Sequence, residues 1–216
     1  MKRAGLSTDK VLRAALDLVD REGVAALSMR RLGRELGVEA MTLYYYVPNK
    51  DAVLDGLIER TLTDVDLRPE GPWRAWAQQF ATSFRSALLA HPGLLPLVAT
   101  RPVTTSGGLD TAEHAAQALV EEGFSASEAL HVITTLATFV IGQVLAEARR
   151  TPGHDEPEPE PDLDPTRHPV LTQALTAGLG TPEDHQDRFA FALDALLVGL
   201  QPRGRATDKA GLGKQT

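Results

Sequence analysis

The chain has no cysteine among its 216 residues. That removes disulfide cross-links, thiol nucleophiles and cysteine-held metal sites at once. No uninterrupted apolar run reaches the roughly 18 residues that a membrane helix needs. Lys2 and Arg3 are not followed by the apolar stretch of a secretory signal. A cytoplasmic protein without membrane association is the simplest expectation. Ser-His-Asp elbow, Gly-rich phosphate loop and His-Glu-x-x-His patterns are all missing, which leaves an enzyme little chemistry to work with. Aromatic residues make up only 5%, so the places where they cluster carry information.

Hydrophobic content is 43%, enough for one or two small helical domains with a real core. The formal charge of −7 is unevenly spread. Residues 1–50 carry nine Lys/Arg and six Asp/Glu, a balance of +3, while the remainder carries 13 basic and 23 acidic residues. A basic head on an acidic body attracts a polyanion at one end only.

The stretch Ser28–Lys50 organises the rest. Leu32 and Leu36 share one face of a short helix. Gly37 follows where a left-handed residue is needed. Val38 packs back, and Glu39 to Val47 reads as a second helix with Leu43 and Val47 inward. Pro48 stops it, and Asn49 caps the next helix. A helix pair of this kind presents the start of its second helix to the major groove. Spacing alone leaves an ordinary helical hairpin open.

These residues also resemble a family. LGVEAMTLYYYVPNKDAVLDGL is similar to the DNA-binding segment of the tetracycline-repressor (TetR) family, where a Gly-Val turn precedes Thr-Leu-Tyr, an aromatic pair, valine, a spacer and Asn-Lys. The similarity runs from near Thr8 through Leu67. It implies an all-α fold: an N-terminal three-helix helix-turn-helix domain over 1–50, a linking helix over 51–67, and a C-terminal helical ligand-binding and dimerisation domain over 68–203. The Gly- and charge-rich residues 204–216 read as a disordered tail.

On the DNA side, Ser28 is the expected N-cap of the first helix of the pair, and its hydroxyl is a phosphate donor. By resemblance, Arg30 reaches a base or phosphate. Ala40, Met41, Thr42, Tyr44 and Tyr46 face the groove, and Lys50 binds phosphate. The second helix lacks Arg, Asn and Gln, the usual bidentate readers. Readout is therefore expected from apolar contact of Ala40 and Met41 with thymine methyls, phosphate bonds from Tyr44 and Tyr46, and a guanine contact from Arg30. Tyr45 is assigned to the core, because three successive tyrosines cannot share one side of a helix.

The body begins at Trp73, with Trp76, Phe80, Phe84 and Leu88 at four-residue steps. Gly93–Thr100 reads as a short apolar helix, Thr104–Gly108 as a polar turn and Leu109–Glu122 as a helix. Ser125 and Glu128 form a capping box. The helix it opens runs to about Arg150, with Leu130, Ile133, Thr134, Ala137, Ile141, Val144 and Leu145 inward. Thr151–Pro169 holds six of the 14 prolines and an acidic run, so it cannot bury a core. His154, Asp155, Glu156 and His168 there read as parts of a solvated loop, not a metal site. Val170–Leu179 is a short helix, and Glu183–Leu200 a final amphipathic one.

The segments around Phe84, Thr100–Pro102, Gly123 and Thr138–Leu145 are similar to the tetracycline-binding members of the family. Aligned on them, Leu62, Phe80, Leu97, Ala115 and Ala146 stand where those members carry polar ligand or metal contacts, while Phe84, Thr100, Arg101 and Pro102 are kept. The resemblance thus implies a ligand set of Leu62, Phe80, Phe84, Leu97, Thr100, Arg101, Ala115 and Thr134. The effector is small and largely apolar, with no magnesium or other cofactor. His114, Gln143 and Thr134 are candidate polar contacts. The family further implies a homodimer on a palindromic double-stranded operator. The last helix and the Ser125–Arg150 helix supply apolar faces for a four-helix interface. A ligand-free or co-repressed DNA-binding protein, an activator and an enzyme stay open at this level.

Overall fold

The computed structural model describes residues 5–63, 65, 67–148 and 163–203. Its described secondary structure is helical. The head holds α1 (Thr8–Glu22), α2 (Met29–Glu35) and α3 (Ala40–Leu43), and α4 (Lys50–Thr63) leaves it. The body follows as α5 (Trp73–Ala90), α6 (Leu95–Thr100), α7 (Ser106–Glu121), α8 (Ala126–Glu147), α9 (Pro169–Thr176) and α10 (Pro182–Gly199). Helix starts obey the expected chemistry. Ser7, Ser28, Thr105, Ser125 and Thr181 each accept a first-turn backbone N–H through the side chain. Asn49 Oδ1 accepts from the Ala52 N–H at 2.8 Å.

Two apolar cores form. Val11, Leu18, Val19, Leu32, Leu43, Val53 and Leu57 fill the first, and Leu94 and Leu97 join them from the body. Trp73, Trp76, Phe80, Phe84, Leu88, Leu119, Phe124, Leu136, Val140 and Phe189 are among those that fill the second. Leu62 and Val98 pack against both. The body reaches α1 through a turn at Pro92–Leu94, where a Cβ on Gly93 would stand 2.4 Å from the Val19 carbonyl oxygen. His91 Nδ1 lies 2.8 Å from Asp20 Oδ2 beside that contact.

Within the body, α8 packs on α5 and α7. Arg85 of α5 pairs with Glu147 of α8 through contacts of 2.7–3.1 Å, and its guanidinium lies 5.1 Å from the centroid of the Phe189 ring on α10. One cation thereby joins three helices.

Several expectations are corrected. α7 starts at Ser106, inside the expected polar turn, because Thr105 caps it and accepts from the Gly108 N–H. The inward face of α8 is Ala129, Val132, Leu136, Val140 and Val144, whereas Leu130, Thr134 and Leu145 are exposed. α8 is apolar nearly all round, so periodicity alone did not select a face. For the same reason it is long and apolar enough, by length and composition, to cross a membrane, although no uninterrupted apolar run of that length occurs in it. α9 has no buried residue. The expectations for 149–162, His154, Asp155 and Glu156 among them, and for 204–216 lie outside the described residues.

Replacing Glu147 by Ala leaves Arg85 uncompensated at a site where both side chains are about one-seventh exposed. Urea unfolding is expected to show a loss of about 2–3 kcal/mol, below the fully buried value because some solvent remains. A change under about 0.5 kcal/mol would show the pair to be a surface one.

Glu128 accepts from both the backbone N–H and the hydroxyl of Ser125, and these bonds hold its carboxyl below the usual range. A lowered folded-state value means that the contribution is present above the ordinary carboxylate range and is lost as pH falls through it and below. Ser125→Ala is expected to cost about 1 kcal/mol near neutrality and less in acid. An equal cost at both pH values would refute the carboxylate's part.

Candidate functional site

The head is shaped by one reversal. α2 ends in a Schellman pattern: the Gly37 N–H donates to the Arg34 carbonyl and the Val38 N–H to the Gly33 carbonyl, at 3.2 and 2.9 Å. Gly37 takes φ +65°. A Cβ on Gly33 would meet the Val38 carbonyl oxygen at 2.9 Å, so α2 meets the turn closely only through glycine.

α3 is one turn long, not the nine-residue helix expected. Beyond Leu43 the chain tightens: the Tyr46 N–H donates to the Leu43 carbonyl at 2.9 Å, and so does the Val47 N–H. Leu43 and Val47 are buried beneath this turn. Pro48 disfavours helical backbone at Val47, which ends the element. The Thr8 hydroxyl of α1 donates to the Tyr46 carbonyl at 3.1 Å and ties the turn to the rest of the head.

Tyr45 is the clear miss. It is 89% exposed, more open than Tyr44 or Tyr46. Beyond Leu43 the helix gives way to a turn, positions 43 and 47 suffice for the core, and the intervening tyrosines all turn outward. The three-in-a-row argument assumed a helix that is not there. Met41 is 70% exposed, while Ala40 and Thr42 are half-buried.

The basic residues of the head fall into two groups. Arg31 pairs with Glu22 and Glu35, Arg21 with Glu35, and Arg13 with Asp9. Arg60 of α4 also reaches Asp9, at 2.8 Å. The bonds from Arg13, then Arg60, hold the Asp9 carboxyl below its usual range. Arg30, Arg34 and Lys50 are exposed, and their side chains have no hydrogen-bond or ion-pair partner among the described residues. Ser28, exposed at the start of α2, has its Oγ occupied as an acceptor from the Arg31 N–H. Free cations and exposed aromatic and thioether side chains are the group types that grip phosphates and touch base edges.

Behind the head, the expected ligand set is divided. Phe80, Phe84 and Ala115 lie in the body core, with the two rings stacked at 5.5 Å. Leu62 touches that core and the head core, and Leu97 belongs to the head core. The remaining three are placed elsewhere. Thr100 is exposed, and its hydroxyl donates to the Pro96 carbonyl at 2.7 Å. Thr134 is on the exposed side of α8. Arg101 Nε donates to Asp55 Oδ1 at 2.6 Å, and Arg101 Nη1 to Asp51 Oδ1 at 3.2 Å, which commits it to α4. Asp55, then Asp51, holds this guanidinium above its ordinary value. The resemblance placed Arg101 in the ligand set, and in the structure it pairs with two carboxylates four residues apart on α4. An open cleft of about 400 Å³ lies elsewhere, between Leu67–Glu70 and the Thr111, His114 and Gln117 side of α7.

Comparison with known proteins agrees with this architecture. The family model for bacterial regulatory proteins, tetR family, matches residues 11–57, and that for the tetracyclin repressor-like C-terminal domain matches residues 67–203. The chain is 32% identical, over 203 residues, to the class D tetracycline repressor protein of Escherichia coli, covering 92% of this chain and 90% of that protein. It is similar in structure to Streptomyces coelicolor ActR in complex with actinorhodin, with TM-score 0.72 and 29% identity over 91% of this chain and 96% of ActR. It is also similar to a TetR variant of Acinetobacter baumannii AYE in complex with minocycline, with TM-score 0.66 and 27% identity over 90% of this chain and 96% of the other. A helix-turn-helix head with free cations, joined to a helical body that matches the repressor C-terminal model, makes this chain a member of the TetR family, a DNA-binding repressor with a ligand-binding C-terminal domain.

Proposed function

We propose that the protein binds a palindromic operator as a homodimer and leaves it when a small, largely apolar effector enters the body. The observation that carries the DNA contact is the sorting of the head's cations. Arg30 on α2 and Lys50 at the start of α4 are exposed and free, whereas Arg13, Arg21 and Arg31 are spent on carboxylates. In this reading Lys50, Tyr44 and Tyr46 grip phosphates, and Ser28 adds a hydroxyl donor. Arg30 reads a guanine, and Ala40, Met41 and Thr42 line the groove.

A second copy of the chain supplies the other half-site, about 34–36 Å away. The supporting feature is the apolar surface of α8 and α10, where Leu130, Leu145, Phe191 and Val198 are each more than half exposed. A neighbouring copy, not a bilayer, suits this face, because the opposite stripe of α8 is already packed on its own chain.

The body argues for the effector's chemistry. Phe80, Phe84, Ala115, Leu62 and Leu97 offer apolar contact, and the positions expected to hold metal or polar contacts are occupied by hydrocarbon. Relatives in complex with actinorhodin and with minocycline support an effector role for the body. For this chain we infer a less polar ligand that enters without magnesium or another cofactor. Release follows if the ligand binds one arrangement of the head more tightly than the other.

Selection of bound duplexes from a random pool, followed by titration at two salt concentrations, tests the reading. A palindrome bound by one dimer is expected; sequence-independent binding would refute it. Lys50→Ala should weaken binding to every sequence and lower the salt slope by about 1, whereas Arg30→Ala should cost about 1–3 kcal/mol and relax one base position. An unaltered salt slope for the lysine variant would remove it from the phosphate contacts. Phe191→Asp is expected to turn the dimer into a monomer in light scattering, and a wild-type chain already monomeric at the same concentration would sink the dimer.

A further inference from the structure

α4 carries Asp51, Asp55 and Glu59 at four-residue steps, so the three carboxylates line one face over about 12 Å. Each faces a particular part of the body. Arg101, the residue that ends α6, donates to Asp55 Oδ1 at 2.6 Å, to Asp51 Oδ1 at 3.2 Å and to the Asp51 carbonyl at 3.4 Å. Glu59 lies against the start of α7, where a Cβ on Gly107 would stand 2.8 Å from its Oε1. A carboxylate near a helix N-terminus is electrostatically favoured. The connection from Arg101 to Gly107 therefore touches the acidic stripe at both ends.

The opposite side of α4 is held by the head. A Cβ on Gly56 would meet Leu12 Cδ2 at 2.8 Å, and Arg60 pairs with Asp9. α4 is thus gripped between α1 and the connection joining α6 to α7. Apolar contacts such as those of Leu57 and Leu62 are non-directional and permit small rotations. A guanidinium with two carboxylate partners has fixed geometry and does not. The Arg101 and Asp55 side chains are each only a quarter exposed, which shields the pair from salt.

We infer that Arg101 is a positioning residue for operator binding: its pairing with Asp55 and Asp51 holds the start of α4, and with it Lys50, in the arrangement that meets DNA. This rests on the proposal that Lys50 contacts phosphate. Arg101 itself touches no DNA. It preorganises the group that does, so that binding need not order α4 at the moment of contact.

The test uses the full-length dimer and the duplex recovered by selection, with anisotropy titrations of wild type, Arg101→Leu, Asp55→Asn, their double variant, and the exchange Arg101→Asp with Asp55→Arg. Each single variant is expected to lose about 5-fold or more in operator affinity, within the range of ordinary coupling between sites. The double variant should be no worse than the weaker single one, and the exchange should recover most of the loss. The salt slope should stay at the wild-type value in all of them, as Arg101 neutralises no phosphate. Unchanged or raised affinity in Asp55→Asn, additive losses, or a salt slope that falls with Arg101→Leu would each overturn the proposal. Asp55→Asn is nearly isosteric, so it carries the test even if Arg101→Leu folds poorly by circular dichroism. Lys50→Ala in the same titration separates the two readings: if its salt slope is unchanged the phosphate proposal fails, whatever Arg101 does.

Discussion

The structure depends on a close approach of two backbones. Gly93 lets the turn after α5 sit against the Val19 carbonyl, nearer than any side-chain-bearing residue allows. That approach brings Leu94 and Leu97 under α1 and makes the head core a joint product of head and body. Without it, α4 would be the main connection, and the head would swing on one helix. With it, the head rests on two supports, α4 and the turn before α6.

The same arrangement explains the apolar character of the junction. Leu62 and Val98 pack against both cores, so the seam between head and body is not a polar cleft. Hydrocarbon packing transmits small displacements because the interior is close-packed and does not compress. The ionic grip of Arg101 on α4 adds direction to a contact that would otherwise have only depth.

Much of this was legible in the chain. Caps at Ser7, Ser28, Asn49 and Ser125, and the left-handed Gly37, are local chemistry that sequence displays directly. The aromatic stripe of α5 was also readable. Three things were not. The phase of α8 is hidden because apolar residues surround the helix, and only its neighbours choose the buried stripe. The brevity of α3 is hidden because a four-residue helix and a nine-residue helix share the same inward pair, Leu43 and Val47; Tyr45 was misplaced as a result. The fate of Arg101 was hidden because its partners lie 46 and 50 residues away. The resemblance put Arg101 in the ligand set, and the structure adds a pairing with α4 that the sequence did not display.

The shortness of α3 has a consequence for how such a protein diversifies. Within α3 only Leu43 is fully buried, and the turn beyond it is pinned from outside by Thr8 and from below by Val47. The side chains of Met41 and Tyr45, the most exposed of this segment, therefore contribute little to folding. Substitutions there are expected to be nearly neutral for stability, so the exposed turn can vary without repair of the fold. The body has no such latitude at Gly93 or Arg101. The exposed turn and the joint at Gly93 thus differ in how much change each tolerates.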